Sequence, residues 1–361
     1  MTDLAAALAQ TLTDQDAGSG PGRGKPRPGS ATVMKLQRGY VRNLAQSPPQ
    51  PLAQAAAPSL GDTDLPVLQV NSFPQQIELS DFRDAYSASN PTGDYLAAYR
   101  FRTLCNRVPH FARYFSFSGK NVEDLWDNLV FGATGQTPIA RHMLSTAQQR
   151  FDSYKIPNMA GIPVNWRPVD AGPAKWYDLM GSASEIVIDL DGSGKPGDYQ
   201  LIDGSGDLEW HIGTRSSPSS KKPVSGKAKR IRLRALKVDL IRGWMDFSLF
   251  EVGGWSIEGM STGDYSTGRI TGNDRLLPLL PTSIILGTDV QIEGDWSEGD
   301  KAIIAEGMTD DGTLSLGPFP LADGVARPKA PPSAATGEIA SKNITHVVGY
   351  LSALVPYAPS L

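Results

Sequence analysis

From Glu185 onward, apolar residues return at every second position in short runs, and glycine separates most of those runs. A strand with one buried face has a side-chain period of two, and glycine supplies the positive backbone angles that tight turns need. The second half of the chain is therefore confined to a β-rich architecture. The segments SEIVIDL, KRIRLRALKVDLIR, SIILGTDVQIEG, KAIIAEG, GTLSLGPF and ITHVVGYLSAL read as its strands. Within the second, Ile231 and Leu233 occupy odd positions while Leu236, Val238 and Leu240 occupy even ones. One face cannot bury both sets, so a bulge or break is expected near Ala235–Leu236. The last segment, VVGYLSALV, has no alternation and reads as an inner strand buried on both faces.

The period is different upstream. Asn121, with Asp124 three residues on, reads as a cap opening a helix whose Val122, Leu125, Trp126 and Leu129 share one face. Thr137 before Pro138 is a second helix start. Ile139, Met143 and Ala147 are expected on its inner face, continuing toward Phe151. The segment YLAAYRFRTLCNRV reads as a helix holding Cys105, the sole cysteine, as a buried and inert thiol. A single cysteine excludes an internal disulfide framework and makes a cysteine-based zinc site improbable.

Residues 1–60 are rich in Pro, Gly, Ala and Ser and poor in large apolar groups, as in GSGPGRGKPRPGS and SPPQPLAQAAAPS. Such chains bury too little surface to offset their ordering entropy. The expected class is α+β: a helical first half packed on a mainly antiparallel β-sheet or β-sandwich, preceded by a disordered N-terminal tail. In this reading 1–60 is the tail, 61–180 a mainly helical and irregular segment, and 181–361 a β-rich segment continuous with it. Two short stretches of the tail read as docking segments, 4–12 with Leu4, Leu8 and Leu12 in line, and 33–44. In the latter, Leu36 and Tyr40 fall on one helical face and Lys35, Arg38 and Arg42 on the other.

A formal charge of −4 hides a local excess of basic residues. Ten lie between Arg215 and Arg242 (Arg215, Lys221, Lys222, Lys227, Lys229, Arg230, Arg232, Arg234, Lys237 and Arg242), against one acid, Asp239. Lys229 leads into Arg230, Arg232 and Arg234, which form a ladder on one strand face. That ladder suits an acidic protein patch, a lipid headgroup or a polyanion, or serves as a charged face paired within the chain.

The stretch DLDGSGKPGD (189–198) places acids at alternate positions after an apolar run. Asp189, Asp191 and Ser193 fit the first three ligand positions of an EF-hand, and Gly194 fits its glycine. Gln200 stands where the bidentate Glu belongs, Pro196 is wrong for the loop, and a strand rather than a helix precedes it. Two readings stay open: a looser calcium site using Asp189, Asp191 and Asp198, or tight hairpin turns, which the Asp-Gly and Gly-Ser-Gly chemistry favours. GSGK is not a phosphate loop, because proline follows Lys195 and the first glycine is missing. The four histidines show no metal-ligand spacing and no GxSxG nominates a nucleophile. His211, beside Trp210 and after Asp207 and Glu209, is the least ordinary of them. Trp244 and Trp255 read as core.

These features favour a non-catalytic binding or assembly protein that engages a protein or anionic partner through the tail segment and the basic strand. The alternatives are a hydrolase sited near 189–211, with or without calcium, and a peripheral membrane or effector-like protein. With no basic, apolar leader pattern at the start, the expectation is a cytoplasmic protein or one exported without a Sec signal.

Overall fold

The computed structural model describes residues 4–18, 65–87, 90–156, 166–190, 197–204, 208–214, 224–309, 311–323, 338–341 and 343–360. Its strands are β1 (Val67–Gln76), β2 (Arg107–Pro109), β3 (Tyr114–Phe115), β4 (Phe117–Asn121), β5 (Ala133–Gly135), β6 (Asp170–Gly172), β7 (Ser184–Asp189), β8 (Trp210–Thr214), β9 (Ala228–Ile241), β10 (Trp255–Ile257), β11 (Leu279–Gly294), β12 (Gly312–Leu316), β13 (Phe319–Asp323), β14 (Glu338–Ala340) and β15 (His346–Leu354). Eight of them form one sheet in the order β3-β1-β15-β11-β9-β6, with β14 added to β11 and β7 to β9. Every pairing in that sheet is antiparallel except β1 with β3. A smaller sheet, β13-β12-β8, stands apart from it.

Six α-helices accompany the strands among the described residues: α1 (Leu4–Gly18), α2 (Tyr95–Cys105), α3 (Val122–Gly132), α4 (Pro138–Ser153), α5 (Trp176–Leu179) and α6 (Glu298–Gly307). The class is thus α+β with a large, mainly antiparallel sheet. The first half is not a separate helical layer, however, because β1 lies inside the sheet between β3 and β15.

Local sequence sets the caps. The Asn121 side chain accepts a hydrogen bond from Glu123 N at the start of α3, and Thr137 accepts one from Ala140 N at the start of α4. The inner face of α4 is Ala140, Leu144, Ala147 and Phe151, whereas Ile139 is exposed, one position off the expected face. KAIIAEG, expected as a strand, belongs to α6. Ser297 and Asp300 form a reciprocal capping box upstream of it, and a four-residue apolar run by itself distinguishes neither state.

β15 pairs on both sides, with β1 and β11, and all but one of its residues are buried. That double burial is why its sequence lacks alternation. Gly349 lets β1 approach: a Cβ there would lie 2.5 Å from the Gln69 carbonyl oxygen.

The expected break near Ala235–Leu236 does not occur. β9 runs unbroken opposite β11 there, with Ala235 beside Gly287 and Leu236 beside Leu286. Ile231 and Leu233 enter a core that includes α1 and the small sheet. Val238 and Leu240 enter a different core, with residues of α2 and α5. The two sets thus face opposite sides of one continuous strand, each covered by its own layer. One irregularity falls on the partner strand, between Thr288 and Gln291, where Asp289 adopts φ 53°, and a second lies at the start of β9, between Ala228 and Arg230. A third core joins α3 and α4 to Trp244, Phe250, Trp255, Tyr265 and the C-terminal Val355 and Ala358.

Candidate functional site

On the face that carries Val238 and Leu240, the other end of β9 presents Arg230, Arg232 and Arg234. They are opposite Asp189, Val187 and Glu185 of β7. On the other side β11 brings Glu293 and Asp289. Arg230 Nε lies 2.6 Å from Asp189 Oδ1, and its other nitrogen is 3.6 Å from Glu293. Arg232 lies 3.0 Å from Glu293, and Arg234 is 3.5 Å from Asp289 and donates to the Gly181 carbonyl. Lys229 meets Asp295 at 2.6 Å. The ladder expected from the sequence is present, and neighbouring strands interleave it with acids. Each such half-exposed pair contributes about 0–1 kcal/mol. Together they compensate the field that a lone basic stripe would project.

Of the other residues in the basic stretch, Lys237 lies 3.5 Å from buried Asp239, and Arg242 is buried. Arg242 donates to Asn106 Oδ1, the Pro281 carbonyl and the Cys105 carbonyl, at 2.6–2.8 Å. Burial lowers its pKa to about 10. Arg215, Lys221 and Lys222 fall outside the described residues.

Asp189, the first candidate calcium ligand, is committed to Arg230. The amide of Asp198, another candidate, donates to Thr13 Oγ1 of α1, and Asp191 lies outside the described residues. Among the described residues no group of three or more His, Cys, Asp or Glu is arranged to hold a metal. His211 sits in β8 of the small sheet, with its ring 4.9 Å from that of Phe73. Asp189 sits in the large sheet, so strand pairing does not join the two residues.

The tail divides. Lys35, Leu36, Arg38, Tyr40 and Arg42 lie outside the described residues. Residues 4–18, by contrast, form α1, and its first half is inside the protein. Leu4, Ala5, Leu8 and Ala9 are 2% exposed or less. They pack with Leu68 and Val70 of β1, Ile186 and Ile188 of β7, Ile231 and Leu233 of β9, and residues of the small sheet. Alanine gives this segment the highest helix propensity available, and its small side chain lets a helix lie close to a sheet. Polar contacts fix the register. The Thr11 hydroxyl, which donates to the Ala7 carbonyl at 2.9 Å, also lies 3.2 Å from the Val187 carbonyl, and Asp198 N donates to Thr13 Oγ1 at 3.0 Å.

Of the buried ionisable groups, Cys105 is the buried thiol expected from the sequence, and the others carry no motif that announces them. Glu123 is buried between Arg102 at 2.8 Å and Arg167 at 3.4 Å; burial raises its pKa despite both partners. Arg167 also stacks on Phe151, 3.2 Å from the ring centroid. Burial drives the Cys105 thiol and the Tyr350 hydroxyl upward. His346 is fully buried, its Nε2 has no hydrogen-bond partner among the described residues, and burial lowers its pKa to about 4. These groups link elements within packed cores. The sole advance signal was position: Glu123 in a first helical turn, and Arg242 in phase with the buried Leu240.

The fold and these surfaces define an α+β protein whose N-terminal helix is seated in its own core, with none of the described helices long and apolar enough to cross a membrane. Comparison of the chain with known protein families, with curated proteins and with solved structures returns no match.

Proposed function

We propose that this is a non-catalytic binding or assembly protein that works by seating a short helix of its tail in a cradle on its body. The observation that carries the reading is α1. Across 46 intervening residues (19–64), the helix Leu4–Gly18 returns to fill a groove between β1, β7 and the small sheet. This is helix-in-groove recognition within one chain, with Leu4, Leu8 and Leu12 as anchors at i, i+4 and i+8. The segment 33–44, with its basic face, would supply a further contact from the same tail. The arginine ladder is the secondary surface: an anionic or protein partner there must compete with Asp189, Asp289 and Glu293 for Arg230, Arg232 and Arg234. The perturbed groups His346, Cys105 and Tyr350 are each shut inside packing rather than in a cleft, and this favours binding over chemistry.

The test is a protease site inserted into residues 19–64 of the full chain. After cleavage the reading expects the 1–18 fragment to co-elute with the body on gel filtration and to be released by the substitution Leu8→Asp. A fragment that separates at once from the parental body would overturn it.

A further inference from the structure

We propose that the cradle accepts α1 from a second copy of this chain, so that copies are joined by helix exchange once they are concentrated. The proposal rests on the reading above and names its partner.

Every contact that holds α1 is non-covalent and would form identically with the helix of another copy. Leu4 and Leu8 would enter the same core, Thr11 would meet the Val187 carbonyl, and Thr13 would meet the Asp198 amide. The closed and exchanged forms therefore differ only in the connector and in the entropy of association. The helix is buried at Leu4–Ala9, half-buried at Gln10–Thr13 and exposed at Asp14 and Gln15. Burial thus falls off along the helix toward its C-terminal end. Forty-six residues span up to about 150 Å when extended. A body of some 300 residues has a radius of gyration of about 19 Å, so a neighbour's cradle is within reach. Through a connector of 46 residues, the effective concentration of a tethered segment lies below the ~1 mM of short linkers. Exchange then competes with self-docking in the high micromolar range and wherever copies are gathered on a common surface.

The experiment uses the full chain carrying a photo-crosslinking amino acid at Thr11, beside the Val187 carbonyl. Equal amounts of ordinary and heavy-isotope protein are mixed, irradiated at ~1 µM and at ~1 mM, and digested, the two concentrations bracketing the crossover. The expected result is crosslinks from α1 to β7 within one isotope at the low concentration. At the high concentration mixed-isotope crosslinks rise toward about half of the total, the value for random re-pairing, while sedimentation shows growth in mass. Same-chain crosslinks alone at both concentrations would overturn the exchange and leave the docking reading standing. Growth in mass without mixed α1–β7 crosslinks would also overturn it, because the copies would then join elsewhere. Absence of any α1–β7 crosslink would remove both readings.

Discussion

The Oγ1 of Thr13 accepts a hydrogen bond from the backbone amide of Asp198, 3.0 Å away across 185 positions of sequence. The bond ties the outer end of α1 to Asp198, while Leu4 and Leu8 hold its inner end in the core. One short helix thus touches β1, β7 and the backbone at Asp198, which is why changes in it should be felt by the whole β body.

Truncating Leu8 to alanine removes a fully buried side chain from that core. The expected loss is about 2–5 kcal/mol, read as a lower midpoint in urea unfolding. Thr13→Val removes two hydrogen bonds, the donation to the Ala9 carbonyl and the acceptance from the Asp198 amide, and should cost about 1–2 kcal/mol. A Leu8→Ala protein as stable as the parent would show that α1 contributes nothing to the fold.

The ladder predicts an unusual gain. Glu293 lies within reach of both Arg230 and Arg232, and Asp189 holds Arg230 from the other side. Replacing both acids together, Asp189→Asn with Glu293→Gln, should leave stability within about 1–2 kcal/mol of the parent, since exposed pairs contribute little. Binding to an immobilised polyanion should strengthen, with a steeper dependence on salt. Unchanged retention would mean that the acids do not mask the arginines.

Acid should act through His346. Its folded pKa of about 4 lies below the ordinary 6.5, so between those values the unfolded chain takes up a proton that the folded chain refuses. Stability is complete above pH 6.5 and falls as pH drops toward 4, by about 3 kcal/mol in total. Unfolding of the parent and of His346→Gln at pH 7 and 4.5 checks this, with the slope flatter in the variant. Asp300 adds a second, lower window. Ser297 is the leading donor holding its carboxyl down to about 2, and Ser225 and Gly226 donate to it as well. Its contribution, present above pH 4, is lost as pH falls toward 2.

Gly349→Ala places a methyl group against the Gln69 carbonyl and Val70 Cα, both backbone. The pairing of β1 with β15 must shift, at a cost of about 1–3 kcal/mol. Thermal unfolding measures it; an unchanged midpoint would mean that the strands separate freely there.

What was legible in the sequence was local. The Asn121 and Thr137 caps are chemistry within three residues, and α3 and α4 begin where those residues say. The unalternating run at β15 announced an inner strand. The two apolar phases of β9 predict a break only if they share one face, whereas each phase has its own covering layer. The ladder was legible as a row of arginines, but its pairing with Asp189 and Glu293 depends on register between distant strands, which spacing does not encode. The burial of Glu123 and Arg242 is hidden for the same reason: their partners Arg102, Arg167 and Asn106 come from other elements. The leucine line of 4–12 was visible; the groove that receives it was not.

The most direct measurement is hydrogen exchange of the full chain, followed by mass spectrometry of the peptide spanning residues 4–15. If α1 is part of the core, its amides from Leu8 to Asp14 exchange at rates near those of β9, and Leu8→Asp brings them to the rate of a free peptide. Complete exchange of that peptide within seconds in the parental protein, while β9 stays protected, would contradict the account.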